Sequence, residues 1–171
     1  MISWGLRIAL SRGGKGLSRF IADHMLGRMC RWLRILGFDV EYVSTGISDG
    51  EIIEMCRKTD RILLTRDREL SARYGKSVLV ESTNIDDQLR QFVAIYSPES
   101  GLAFTRCTEC NGELQRRSGE ELQGLLEPGT LKSYSEFYQC EKCGTVYWKG
   151  PHYRNMEKRI TGITGQNENT A

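Results

Sequence analysis

Apolar positions over the first 95 residues alternate between short continuous runs and helical stripes. RFIAD (19–23) sets three apolar residues in a row before an acid, the pattern of a short buried strand. Met25, Leu26, Met29, Leu33 and Leu36 then recur at helical spacing, and Gly37 supplies the stop. FDVEYV (38–43) predicts a second strand. Ser48 with Glu51 forms a capping box that opens a helix through Ile52, Ile53 and Cys56. RILLT (61–65) is a third strand, apolar enough to be buried on both faces, and residues 76–81 make a fourth. Thr83 or Asn84 caps a helix over 87–95. Strands alternating with helices in this way predict βαβ units, an α/β fold with a parallel sheet.

Residues 96–103 (YSPESGLA) read as a linker into a second unit. There, Ser118 with Glu121 predicts a capping box before Leu122, Leu125 and Leu126, and Pro128-Gly129 is expected to end that helix. The expected organisation is a basic, poorly ordered leader over 1–18 and an α/β domain over 19–96. A cysteine-containing ribbon with a C-terminal helix follows over 104–160, and then a flexible tail over 161–171.

The cysteines change that picture most. Cys107 and Cys110 form one CxxC hook, Cys140 and Cys143 another, with residues 111–139 between them. Two such hooks suit four thiolates around tetrahedral zinc at about 2.3 Å. Asn111-Gly112 and Gly144 follow the hooks and let the backbone curl. A redox CxxC accounts for one hook and not two, and a disulfide pair lacks a secretory context. So small a unit has few apolar positions, so bound zinc is expected to supply its missing stability. Cys30 and Cys56 fall on apolar helix faces and are expected to be buried small hydrophobes.

Composition narrows the class further. Of 171 residues, 24 are Lys or Arg and 22 are Asp or Glu, a formal charge of +2, so nucleic acid would be met through local patches. With 39% hydrophobic and 27% charged residues, a disordered chain and a collagen are excluded. No apolar run approaches membrane-spanning length, so no membrane partner is expected. The leader is basic, with Arg7, Arg12 and Lys15, but the stretch Ile8–Leu10 is too short for a secretory signal. A cytoplasmic location is expected.

Acids mark the second chemistry. Ligands of open parallel sheets bind at the carboxyl ends of the strands. Asp23 closes the first strand, Asp67 lies just past the third, and Asp49 sits in the first turn of the helix after the second. Three carboxylates from separate segments can converge there on a hard cation, magnesium or manganese, for phosphodiester cleavage. Taken singly, each has a plainer role as cap, turn former or surface acid.

FIADHMLGRMCRWLRILGFDVEYV, SDGEI and RILLTRDREL resemble the PIN-like RNase domain found at the C-terminus of Mut-seven exonucleases and in stand-alone prokaryotic proteins. RCTECNGEL, FYQCEKCGTVYWKGPHY and the Gln88-Leu89 pair are similar to the same family's zinc ribbon and linker. The resemblance spans about residues 19–160. It implies a PIN-like α/β fold and a metal-dependent nuclease, with Asp23, Asp49 and Asp67 as the acidic positions. Glu51 is the alternative to Asp49. The leader lies outside the resemblance.

Arg28, Arg31 and Arg34 fall three apart on the polar face of the first helix, expected by default to be a solvated face; the three could grip an RNA backbone beside Asp23, with Arg28 and Arg31 the candidate substrate contacts. Arg66 and Arg68 flank Asp67 and can contact the scissile phosphate. His24 and His152 are the sole histidines; His152 could add a zinc or phosphate contact, but with four thiolates available a packing or hydrogen-bonding role is expected of it. No GxSxG turn supports a serine hydrolase. The reading is a divalent-metal-dependent ribonuclease with a structural zinc ribbon and RNA as its partner. The alternative is a non-catalytic adaptor whose ribbon binds RNA or protein.

Overall fold

The computed structural model describes residues 18–98 and 103–165. Residues 1–17 of the expected leader, 99–102 of the expected linker and 166–171 of the expected tail lie outside the described residues.

Four short strands, β1 (Phe20–Ala22), β2 (Val40–Tyr42), β3 (Ile62–Thr65) and β4 (Ser77–Leu79), form a parallel sheet in the order β2-β1-β3-β4. Side chains alternate across a strand, so β1 feeds both faces. Phe20 and Ala22 join Val40, Leu64 and Val78 under α1 (Gly27–Ile35) and α4 (Ile85–Ile95), where Met29, Leu33, Leu89 and Phe92 are buried. Ile21 and Leu63 face the other way, against Ile52, Ile53 and Cys56 of α2 (Asp49–Thr59) and Leu70 of α3 (Arg68–Tyr74). The result is a helix–sheet–helix sandwich.

The predicted boundaries need one addition here. The stretch between the third and fourth strands, given no helix in the sequence reading, forms α3. Asp67 caps its amide groups, and Gly75, at φ 75°, ends it. Gly37 at φ 90° stops the first helical segment as expected, and Asn84, not Thr83, caps α4.

Beyond the linker, β5 (Leu114–Arg117), β6 (Phe137–Cys140) and β7 (Val146–Trp148) form an antiparallel ribbon in the order β5-β6-β7. The helix expected after Ser118 is corrected. Ser118 and Glu121 do exchange the two bonds of a capping box, at 2.7 and 3.3 Å, but the chain continues in turns. Gly124 takes φ 82° and Leu125 stays exposed, so the leucine stripe never finds a second surface. Pro128 instead begins a helix, α5 (Pro128–Ser133), at the one position where its missing N–H costs nothing.

The last helix, α6 (Pro151–Thr164), packs against α4 and adds Ile160 to the α/β core. It continues through residues 161–164, which were expected to be tail. The Thr161 and Thr164 hydroxyls donate to carbonyls one turn back, and Gly165 ends the helix at φ 67°. Arg159 donates to Asp86 at 2.6 Å and lies over the Trp32 ring at 4.8 Å.

Candidate active site and metal centre

Strand order sets the place to look. The chain passes from β1 to β2 on one side and returns across β1 to β3, so the direction of winding reverses between β1 and β3. The crevice outside their carboxyl ends is the usual ligand site of such sheets.

Asp23 directly follows β1 and Thr65 ends β3, and both are buried, Asp23 at 2% exposure and Thr65 at 0%. The Thr65 hydroxyl donates to Asp23 Oδ2, and the Met25 amide donates to Oδ1 at 2.9 Å. The Asp67 amide donates to the same Thr65 oxygen at 2.9 Å. One hydroxyl therefore ties Asp23 to the turn that carries Asp67. Asp23 has no cationic partner among the described residues, which is unusual for a buried carboxylate. Thr65 was absent from the sequence reading; its signal was a lone hydroxyl at the end of an apolar strand.

Asp67 is exposed, and its Oδ1 accepts from the Glu69 and Leu70 amides at 2.7 and 3.0 Å. Asp49 accepts instead from Arg73 at 2.9 Å, an exposed pair. Among the described residues, the three carboxylates do not form a group whose ligand atoms all lie within 4.8 Å. Glu51 is occupied as a cap. Its Oε2 accepts from the Ser48 hydroxyl and amide at 2.6 and 2.9 Å, which hold its carboxyl below the usual range.

The arginines separate by role. Arg28 is exposed and makes no ion pair among the described residues, while Arg31 meets Glu109 at 3.1 Å. Arg68 pairs with Glu81 at 2.7 Å, and Arg66 keeps a buried Nε without a hydrogen-bond partner among the described residues. Arg34, expected on a solvated face, is only 4% exposed. It donates to the carbonyls of Val40, Thr108 and Glu109, each at 2.8 Å, and so ties α1 to the end of the sheet and to the first cysteine hook.

The cysteines assemble as the spacing predicts. The four Sγ atoms lie within 4.8 Å of one another, with Cys107–Cys143 at 3.6 Å and Cys110–Cys140 at 3.4 Å. This cluster can hold a metal ion such as zinc. Gly112 lets the hooks close: a Cβ there would lie 2.8 Å from Cys140 Sγ and 2.9 Å from Lys142 Cβ. The Tyr147 hydroxyl lies 3.1 Å from Cys107 Sγ. His152 is exposed on the first turn of α6 and is not one of the clustered ligands. Cys30 and Cys56 are fully buried, and burial pushes both thiols up to about 11.

Asn111, at φ 66° just after the first hook, docks the ribbon on the sheet edge. Its Oδ1 accepts from the Val40 amide at 3.1 Å, and its Nδ2 donates to Asp39 at 2.7 Å. Arg61 grips the same Asp39 at 2.6 and 3.1 Å. Burial alone would raise the Asp39 carboxyl, but the bonds from Arg61 and Asn111 outweigh it and hold it below the usual range.

Among the described residues, no helix is long and apolar enough to cross a membrane. The model of the Mut7-C RNAse domain matches residues 18–160. No curated protein and no solved structure matches the chain.

Proposed function

Because the chain belongs to the Mut7-C RNase domain family, we propose that it is a divalent-metal-dependent ribonuclease acting at the carboxyl edge of its parallel sheet. The observation that carries this reading is Asp23, a buried carboxylate without a cation partner among the described residues, held at the β1/β3 reversal. A buried acid without a counter-charge is costly, and an external cation relieves that cost.

Asp23, Asp67 and Asp49 offer only oxygen, the donor set of magnesium or manganese. The chemistry such an ion supplies when bound is charge opposite a phosphate oxygen and acidification of water. Thr65 and the Met25 amide fix the Asp23 carboxylate, while Asp67 keeps Oδ2 for a further contact as Oδ1 caps α3. Asp49 joins only by exchanging Arg73, a half-exposed and therefore weak pair. Arg66 and Arg68 flank this edge as phosphate donors, Arg68 by exchanging its exposed pair with Glu81. Arg28 and Arg31 serve the RNA backbone further along α1.

In this reading the PIN-like domain runs over 19–96 and the zinc ribbon with its helix over 104–160. Cys107, Cys110, Cys140 and Cys143 hold zinc. Tetrahedral zinc with bonds of about 2.3 Å separates its sulfurs by roughly 3.8 Å, close to the 3.6 and 3.4 Å between pairs here. Thiols kept for a metal suit a reducing, cytoplasmic setting.

The second reading, a non-catalytic RNA- or protein-binding adaptor, draws on the Asp49–Arg73 pair and on carboxylates that do not gather. Incubating the purified chain with single-stranded and structured RNA, with manganese added or omitted, separates the two. The ribonuclease reading expects manganese-dependent cleavage. Binding without cleavage under every divalent ion tried would favour the adaptor.

A further inference from the structure

A cleft of about 440 Å³ lies between α1, the end of β2 and the first cysteine hook, within the size range of small-molecule sites. Its lining includes Arg28, Arg31, Arg34, Tyr42, Thr108 and Glu109. We infer that this cleft seats one nucleotide of single-stranded RNA, its phosphate on Arg28 and Arg31 and its base against Tyr42. The inference rests on the ribonuclease reading above and adds a binding subsite to it.

Tyr42 is 42% exposed, yet its ring is held at two points. Its hydroxyl donates to the His24 carbonyl at 3.1 Å, and its ring lies against Gly27, where a Cβ would be 3.3 Å from three ring and hydroxyl atoms. A fixed, exposed aromatic is a stacking platform that loses little entropy when a base covers it. Only an unpaired base presents that face, which selects single-stranded RNA. His24 directly follows Asp23 in the chain, so the platform adjoins the proposed catalytic edge.

The charges fit a phosphate. Arg28 makes no ion pair among the described residues. Arg31 pairs with Glu109 at 3.1 Å, but both side chains are more than half exposed, so a phosphate can displace the carboxylate. Arg34 is committed to backbone carbonyls and builds the wall. Thr108 and Glu109 sit between Cys107 and Cys110. The ribbon therefore forms one side of the RNA site, and Glu109 competes with the ligand for Arg31.

The test is a titration of a short fluorescein-labelled oligouridylate with the full chain, without added divalent ion, at several salt concentrations, paired with a manganese cleavage assay. Tyr42→Ala should weaken binding about 10-fold with an unchanged salt slope, since stacking carries no charge. Tyr42→Phe should retain most of the affinity. Arg28→Ala should weaken binding and lower the slope of log affinity against log salt by about 0.7. Glu109→Gln should tighten binding. Tyr42→Ala, Arg28→Ala and Glu109→Gln should alter KM and leave kcat at saturating RNA within about twofold, while Tyr42→Phe should leave both near the parent values. Lys58→Ala, at the far end of α2, should change neither.

If the parent chain binds and cleaves RNA and these variants leave its affinity unmoved, the cleft inference fails and the ribonuclease reading stands. If the variants shift binding as stated but no divalent ion yields cleavage, the cleft stands and the ribonuclease reading fails. A parent chain that neither binds nor cleaves RNA overturns both.

Discussion

In the α/β layer the strands feed buried apolar clusters on both faces of the sheet, under α1 and α4 on one side and α2 and α3 on the other. The ribbon, over residues 104–150, fully buries only Leu122 and Phe137 beside Cys107 and Cys140 among the hydrophobic side chains. Burial at about 25 cal/mol per Å² explains the first region and leaves the second without a core. The two proposed metal centres differ in the same direction. At the proposed soft site the four ligand sulfurs already lie together. The proposed hard site sits on a layer that has its own apolar core, and its acids take other partners, as Asp49 does with Arg73.

Cys140→Ser is the harshest way to break this contrast. Structural zinc contributes on the order of 10–16 kcal/mol in small zinc peptides. The variant should lose its zinc by elemental analysis, and amide exchange should lose protection over about residues 104–150. Protection in β1 and β3 should persist. Equal loss in both regions would mean that the sheet depends on the ribbon.

Phe92→Ala probes the other side. Phe92 is fully buried, with the Phe20, Phe38 and Tyr96 rings at 5.0 to 5.2 Å. Its truncation should cost about 3–5 kcal/mol by chemical denaturation. Zinc content should remain at one per chain. A variant that sheds zinc in proportion to its lost stability would show the regions to be a single cooperative unit.

Acid should act most gently, at the seam. Asp39 has a folded pKa below its unfolded value of about 3.9, so its stabilising effect is complete well above that value. It is lost as pH falls through 4 toward the lower folded pKa. Asp39→Asn should therefore show a flatter decline in stability below about pH 5, measured by denaturant midpoints. An unchanged acid profile would remove Asp39 from the seam.

What could be read from the sequence follows from how local each determinant is. The four strands, the capping box at Ser48 and the paired hooks are written in adjacent residues, and each formed. The helix α3 was missed although Asp67 and Gly75 bracket it, because Asp67 had been read for its chemistry and not as a cap. The false helix after Ser118 had a correct cap and a leucine stripe, but a stripe needs a facing surface, and only Leu122 of that stripe is fully buried. Thr65, Arg34 and Asn111 act through partners 42, 74 and 71 positions away, which no local pattern reveals. The pairing of Asp49 with Arg73 was hidden for the same reason.

The central claim is that the sheet edge carrying buried Asp23 and exposed Asp67 is catalytic, and Asp67→Asn tests it most directly. Asparagine keeps the cap's oxygen and the side chain's size while removing the charge a hard cation needs. RNA cleavage at fixed manganese should fall at least about 100-fold, the scale of metal and electrostatic effects on rate, while the melting temperature stays close to the parent's and Glu54→Gln on α2 cleaves normally. An Asp67→Asn protein that cuts RNA at the parent rate, still requiring manganese, would contradict the account.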